Sequence, residues 1–279
     1  MPLGSLVRLA LVQFSPIAGG SVDNINAAKI LVGNKKADVF LFPHLFASAS
    51  ETEESARYAE DGAGPSAAFL KVVALERKAY SIGSYVAKGE RGKKPTFRTA
   101  VFNPDGIRVA IYDQIHLSSI KAEPDYIAPG SKLPFFDVLT FRSSAIGSYD
   151  LRFPELAREF GLSWGFLLFV CGSYKLSEIH QWDALLQARA CENQMFAIGC
   201  NFGQEKKKES NPLEFGGHSA VYAPDGRMLH RAGMGEQVLV LDINPFEVEW
   251  NRNRHQYLTD AKVERGKRHV FESEDDPDK

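Results

Sequence analysis

The chain has 279 residues, enough for one large α/β domain with a full core or for two small domains. Apolar residues make up 44% of it, charged residues 24%, and the formal net charge is −2, so a soluble globular protein is expected and a nucleic-acid partner is not, because nucleic-acid binders usually carry a basic surplus on one face. The three cysteines lack metal-ligand spacing and no apolar run could span a bilayer, so we expect no metal, no cofactor, no membrane contact and a cytoplasmic location.

Strand and helix patterns alternate from the start of the chain. The alternation of Val7–Phe14 predicts a strand. A helix is predicted over Val22–Val32, with Ser21 or Asp23 placed to cap it. The continuous apolar run Asp38–Phe42 is typical of a strand buried on both faces.

A second helix and strand follow. Pro65 opens a helix that runs to Arg77, and Ser81–Val86 reads as the next strand. The residues predicted for the buried side of this helix are Phe69, Val72, Val73 and Leu75.

Two similar hairpins are predicted far apart in the chain. The turns are Pro104-Asp105-Gly106 and Pro224-Asp225-Gly226, each between apolar runs. Proline presets φ, aspartate can bond its own backbone, and glycine accepts a positive φ.

The remaining elements continue the alternation. Helices are predicted over Pro154–Phe160 and Trp182–Asn193, and strands over Leu167–Val170, Phe196–Cys200 and Val238–Leu241. The helix at Trp182–Asn193 is expected to bury Leu185, Leu186, Ala188 and Ala190.

We expect residues 1–271 to form a single domain, because no linker splits the chain. Residues 272–279 are acidic and lack an apolar residue, which predicts a disordered tail. Hairpin-joined strands interleaved with helices indicate two sheets with helices outside.

Beyond composition and pattern, the segment Ser148–Glu155 reads Ser-Tyr-Asp-Leu-Arg-Phe-Pro-Glu and resembles the nucleophile motif of the nitrilase, or carbon–nitrogen hydrolase, superfamily. Other landmarks of that family follow in its order: Leu11-Val12-Gln13, Phe42-Pro43, Thr99-Ala100-Val101, Ile115-His116-Leu117, Tyr126, Pro129-Gly130, Arg189–Asn193 and Gly217-His218-Ser219. The resemblance covers residues 8 to about 244. It implies the family's four-layer α-β-β-α sandwich and a homo-oligomer of at least two subunits.

The resemblance also implies a site, and its three core residues differ here. The family uses a glutamate base, a lysine that stabilises the tetrahedral intermediate and a cysteine nucleophile. The matching positions carry His44, Gln114 and Ser148. A supporting glutamate of the family is retained as Glu123.

Each replacement has a chemical consequence. A serine hydroxyl is far less nucleophilic than a thiolate and needs a positioned base. Gln114 keeps hydrogen-bond donors but loses the cation, and losing one such donor typically costs about 10²–10³ in rate. His44 is a candidate base, since an unperturbed imidazole has a pKa of about 6.5. Cysteine chemistry of the family type is therefore expected to be absent.

Two interpretations follow for function. The favoured one is a catalytically inactive homologue that binds a small amide or carboxylate, or serves as a scaffold or partner subunit. The alternative is a hydrolase of carbon–nitrogen (amide-type) or ester bonds, with Ser148 as nucleophile, His44 as base, Glu123 as orienting carboxylate and Gln114 as oxyanion donor. A working triad needs sub-ångström placement, which chance replacement rarely supplies.

Overall fold

The computed structural model describes residues 6–90, 92–204 and 214–261. The strands are β1 (Val7–Gln13), β2 (Val39–Leu41), β3 (Tyr80–Ala87), β4 (Thr96–Phe102), β5 (Arg108–Asp113), β6 (Phe136–Val138), β7 (Phe141–Ile146), β8 (Leu167–Cys171), β9 (Phe196–Cys200), β10 (Ala220–Tyr222), β11 (Met228–Arg231) and β12 (Gln237–Ile243). The helices are α1 (Ser21–Val32), α2 (Pro65–Arg77), α3 (Glu123–Tyr126), α4 (Pro154–Leu162), α5 (Ile179–Asn193), α6 (Phe246–Arg254) and α7 (Tyr257–Asp260), and 3-10 turns occur at Glu53–Tyr58, Tyr149–Arg152 and Leu176–Glu178.

The strands form two six-stranded sheets of similar design. One has the order β12-β1-β2-β3-β4-β5 and the other β11-β10-β9-β8-β7-β6. In each sheet three neighbouring strands are parallel, β1-β2-β3 and β7-β8-β9, and antiparallel strands flank them on both sides. The carboxyl ends of parallel strands meet at one edge, where ligand sites of α/β proteins usually lie.

Strand alternation produces the layers. Leu9 and Leu11 of β1 pack with Phe169 of β8 in a core between the two sheets. Ala10 and Val12 face the other way and join α1 and α2 in a second core. A third core packs α4 and α5 on the outer face of the second sheet, around the fully buried Trp182. The predicted four-layer α-β-β-α sandwich is confirmed.

Most predicted elements are present with shifts of a few residues. Both Pro-Asp-Gly turns join antiparallel pairs, β4 to β5 and β10 to β11, and their glycines have φ of +70° and +81°. The strand Phe196–Cys200 matches its prediction at both ends. Helix α5 begins three residues earlier than predicted, at Ile179.

The predicted cap of α1 is wrong. Ser21 and Asp23 lie inside the helix, whose N-cap residue is Gly20, and no side chain caps it. Asn24, in the first turn of the helix, holds the preceding chain instead. Its Oδ1 accepts from the Ile17 N–H at 2.8 Å, and its Nδ2 donates to the carbonyls of Ile17 at 2.8 Å and Ala47 at 2.7 Å. The turn is therefore held by an asparagine that pattern reading did not single out.

The buried side of α2 was predicted only in part. Phe69 and Val73 are buried, but Val72 and Leu75 are exposed, because a 3.6-residue period places them away from the sheet. In α5, Leu186 and Ala190 are buried while Leu185 and Ala188 are intermediate.

Two further expectations concern the C-terminal tail and membrane-spanning helices. The tail 272–279 lies outside the described residues. Within the described ranges, no helix has the length and apolar character needed to cross a membrane.

Candidate active site

The four residues singled out by sequence line one cavity. His44, Gln114, Glu123 and Ser148 surround a space of ≈ 30 Å³, together with Glu51, Lys121, Tyr149, Arg152, Ser173, Tyr174 and Glu178. That volume holds only one or two water molecules. The lining is almost entirely polar, so the site is suited to a small polar group.

Strand ends bring these residues together from both sheets. His44 follows β2, Gln114 follows β5, Ser148 follows β7 and Ser173 follows β8. The two sheets are tied at this point, because the backbone N–H of His44 donates to the carbonyl of Gly172 at 2.9 Å.

Ser148 stands at the start of the 3-10 turn Tyr149–Arg152 and is 7% exposed. Its Oγ accepts a hydrogen bond from the backbone N–H of Ser173 at 3.1 Å and lies 3.0 Å from the Ser173 Oγ. The residue before it is a glycine, and a Cβ on Gly147 would lie 2.6 Å from the Gln114 Oε1, so a larger residue would displace the Gln114 amide. Gly147 therefore allows the close approach of the Gln114 and Ser148 segments.

A buried carboxylate fixes the Ser148 segment. Asp150 is fully buried and accepts bonds from the Tyr112 hydroxyl and from the backbone N–H groups of Ile115 at 3.3 Å and His116 at 2.9 Å. The His116 Nδ1 lies 2.7 Å from the Asp150 Oδ1. Burial and then the Asp150 charge raise the pKa of Tyr112, which keeps that hydroxyl a donor.

His116 is held on both sides. Its ring stacks on Phe153 with centroids 3.7 Å apart, and its Nδ1 contacts Asp150. It thus links the Gln114 loop to the Ser148 turn.

His44 is buried in the cavity wall. Its Nδ1 lies 3.1 Å from the Ser84 Oγ and its ring meets Phe97 edge-on. Burial lowers the pKa of His44 to about 4, although the nearby Glu51 carboxylate opposes that shift. The imidazole is therefore neutral at pH 7.

Ser148 and Glu123, the predicted catalytic partners of His44, make hydrogen bonds to other residues. In the part of the chain that the structure describes, no hydrogen bond joins His44 to Ser148 or to Glu123. Glu123 instead accepts the Ser118 N–H at 2.7 Å. Burial raises the pKa of Glu123 to about 7, while the Ser118 bond acts against the rise.

Gln114 is buried, and a hydrogen bond of its side-chain amide orients it. Its Nε2 donates to the His116 carbonyl at 3.0 Å. Among residues 6–90, 92–204 and 214–261 its Oε1 finds no hydrogen-bond partner. An amide nitrogen has two protons, so one donor of Gln114 remains for another acceptor.

Sequence reasoning missed three residues of the site. Glu51 and Lys121 form an ion pair at the cavity, and the Ser173 hydroxyl donates to Glu51. Both charged residues lie in loops that match no motif. Ser173 did carry a signal, because a polar residue just after a buried parallel strand such as β8 lies at the strand ends where sites form.

The Glu51–Lys121 pair also faces outward. Glu51, Lys121 and Ser173 line a second cavity of ≈ 580 Å³, whose other walls include Tyr126 and Phe215. The pair therefore stands between the small inner cavity and a larger outer one.

Another wall of the inner cavity is formed by Arg152, which makes a cation–π contact with Tyr174. The Arg152 guanidinium lies 4.9 Å from the Tyr174 ring centroid and pairs with Glu178 at 2.9 Å. It also donates to the Gln181 side chain and lies 5.9 Å from the Tyr149 ring centroid. These contacts hold Arg152 in the wall of the cavity.

Neither buried thiol replaces the family nucleophile. Cys171 and Cys200 are fully buried in β8 and β9, in the core between the sheets. Burial raises the pKa of Cys171 to about 12 and that of Cys200 well above its usual range. Cys191 is exposed on α5. Within the described residues, no group of three histidine, cysteine or acidic side chains is placed to hold a metal ion.

A four-layer sandwich with a buried polar cavity at the strand ends of both sheets defines a hydrolase-type fold of the nitrilase class. The chain belongs to the carbon-nitrogen hydrolase family, whose model matches residues 8–252.

Curated relatives cover most of the chain. A 2-oxoglutaramate amidase of Bacillus subtilis is 28% identical over 240 residues, which are 85% of this chain and 90% of that protein. The omega-amidase NIT2-B of Xenopus laevis is 32% identical over 251 residues, covering 85% of this chain and 88% of its own.

Solved structures share the fold. XC1258 of Xanthomonas campestris, a CN-hydrolase superfamily protein with an arsenic adduct in its active site, superposes with a TM-score of 0.85 at 25% identity, over 93% of this chain and 98% of its own. Nit3 of Saccharomyces cerevisiae gives a TM-score of 0.80 at 23% identity, over 90% and 94%.

Proposed function

We propose that this chain is a hydrolase of carbon–nitrogen bonds in small amides, with Ser148 as its nucleophile. The observation that carries the proposal is the environment of the Ser148 hydroxyl. It opens on a buried polar cavity and is held by the Ser173 N–H and hydroxyl. The names of the amidase relatives favour an enzyme over an inactive subunit.

The chemistry would be acyl transfer in two steps. Ser148 Oγ attacks the amide carbonyl carbon, the C–N bond breaks, and the amine leaves with a proton. Water then hydrolyses the acyl-serine ester, releasing the acid and restoring the hydroxyl. The second amide proton of Gln114 would then stabilise the developing oxyanion, because a neutral donor in a dry site still contributes strongly.

A second candidate function remains, because one observation favours it. The inner cavity of ≈ 30 Å³ is too small for an amide in this conformation, and the Glu51–Lys121 pair stands at its outer side. A protein fixed in this state would be the inactive ligand-binding or partner subunit that the replaced motif residues predict.

Intact-mass detection of a fluorophosphonate adduct separates the two, since it requires no knowledge of the substrate. We expect one adduct on the native protein, none on Ser148→Ala and an undiminished adduct on Ser50→Ala, a serine outside the cavity. Ammonia release from 2-oxoglutaramate and simple primary amides should likewise depend on Ser148.

The opposite result would support the inactive subunit. A folded protein that gives neither adduct nor ammonia, yet is stabilised against heat by small amides or carboxylates, binds a ligand without turning it over.

A further inference from the structure

The hydroxyl of Ser173 has more acceptors than protons. It lies within hydrogen-bonding distance of both the Glu51 carboxylate and the Ser148 Oγ, the latter at 3.0 Å. An ionised carboxylate can only accept, and a hydroxyl carries one proton. The Ser173 proton therefore goes to Glu51, and the contact between the two serines is filled by the proton of Ser148.

The backbone supports the same direction. The Ser173 N–H donates to the Ser148 Oγ at 3.1 Å, which occupies one lone pair of that oxygen. The Ser148 proton is thus directed at Ser173, while the second lone pair stays available for attack. The hydrogen-bond chain runs from Ser148 to Ser173 to Glu51.

Glu51 is ionised and ready to accept. Burial raises the pKa of its carboxyl, but the Lys121 charge, His44 and the hydrogen bonds from Lys121 and Ser173 together outweigh burial, so the pKa of Glu51 lies below its usual range. For Lys121, burial lowers the pKa, but the Glu51 charge and hydrogen bond, with the Glu123 and Glu178 charges, together raise it above its usual value, so the amine is an ammonium. The pair therefore presents a carboxylate and a cation at the cavity.

The competing base is less well placed. His44 has its Nδ1 directed at Ser84 and its ring packed against Phe97. Its Nδ1 is therefore engaged, and no hydrogen bond joins its ring to Ser148 in the part of the chain that the structure describes.

We propose that Glu51 is the terminal proton acceptor of this site, that Ser173 relays the proton from Ser148, and that Lys121 is a positioning residue that holds Glu51. The family's glutamate and lysine charges are expected at positions 44 and 114. Here Glu51 would supply the carboxylate and Lys121 the ammonium, each from another loop. The inference rests on the proposed function, because it requires Ser148 to be the nucleophile.

Every proton has a defined destination in this reaction. As the Ser148 Oγ forms its bond to the carbonyl carbon, its proton moves to the Ser173 Oγ and the Ser173 proton moves to Glu51. When the C–N bond breaks, the Ser173 hydroxyl gives its proton to the leaving nitrogen and takes the proton back from Glu51. Water attacking the ester gives its proton to Glu51, which then restores the Ser148 hydroxyl.

The test measures the rate of fluorophosphonate labelling and of ammonia release in matched variants. Loss of a general base typically costs about 10²–10⁴ in rate, so Glu51→Ala and Ser173→Ala should be slowed by that factor. His44→Asn should change the rate less than about tenfold. Glu54→Gln, an exposed glutamate in the neighbouring 3-10 turn, should be unchanged.

Chemical rescue separates proton transfer from structure. Added formate should restore activity to Glu51→Ala in a saturable way, because it supplies the missing carboxylate, and should have no effect on the native protein. A purely structural role would give no rescue.

The outcomes distinguish the two proposals. Labelling that is absent from the native protein, or that survives in Ser148→Ala, overturns the proposed function and this inference with it. Labelling that depends on Ser148 but survives in Glu51→Ala and Ser173→Ala, with His44→Asn slowed a hundredfold, overturns the inference alone.

Discussion

Replacing Asp150 by asparagine should lower the stability of the protein, because Asp150 joins the Ser148 turn to the loop at Gln114. The carboxylate is fully buried two residues after Ser148 and receives donors on both oxygens. His116 contacts the Oδ1 through its backbone N–H and Nδ1, while the Tyr112 hydroxyl and the Ile115 N–H face the Oδ2.

The magnitude follows from the donor count. An asparagine side chain at this position would have one oxygen and one NH₂ group, so whichever way the amide turns, one backbone N–H, that of Ile115 or that of His116, meets another donor. The Tyr112 hydroxyl and the His116 Nδ1 can each act as acceptors instead. A hydrogen bond to a charged group contributes about 1.5–3 kcal/mol, and leaving a buried donor without an acceptor costs about 1–3 kcal/mol. We therefore expect Asp150→Asn to lower the free energy of unfolding by about 1.5–3 kcal/mol.

Urea unfolding followed by tryptophan fluorescence measures this change. Asp137→Asn is the matched control, because Asp137 is exposed on β6 and its variant should stay within about 0.5 kcal/mol of the native protein. A loss below about 1 kcal/mol in Asp150→Asn would refute the reasoning, since the network would then not be needed to hold the Ser148 turn.

Two other predictions concern titration and thiol access. The pKa of Glu123 is raised to about 7 in the folded protein from 4.5, so its carboxyl contributes stability below pH 4.5 that is lost as pH rises from 4.5 to 7, by about 3 kcal/mol at most. Urea midpoints measured across that range should therefore fall with pH in the native protein and should not do so through this group in Glu123→Gln. The same fall in both proteins would contradict the raised pKa of Glu123. A thiol reagent should modify one cysteine, Cys191, in the native protein and three after unfolding, because Cys171 and Cys200 are fully buried; rapid native labelling of Cys200 would contradict the buried placement.

The fold could be predicted from sequence because its signals are local and repeated. Apolar alternation in β1, proline at the start of α2 and the two Pro-Asp-Gly turns each act over a few residues, and the family motif set their order. The failures came where tertiary contacts decide. The asparagine that holds α1 bonds the backbone of Ala47, 23 positions away, which no local pattern reveals.

For the candidate site, the sequence determined which residue types stand at the family positions. The resemblance predicts that His44, Gln114 and Ser148 stand where the family has its glutamate, lysine and cysteine, and that Glu123 is retained, because a motif fixes spacing along the chain. These four residues do line one cavity. Their catalytic roles stay predictions, as does loss of activity.

Only the tertiary structure decided which groups are bonded to one another. Glu51 and Lys121 are 70 residues apart, and Ser173 is 122 residues from Glu51, yet all three meet beside Ser148. The same folding turned His44 toward Ser84 and buried its ring. Hydrogen-bond partners and burial depend on directions in space, which spacing along the chain does not encode.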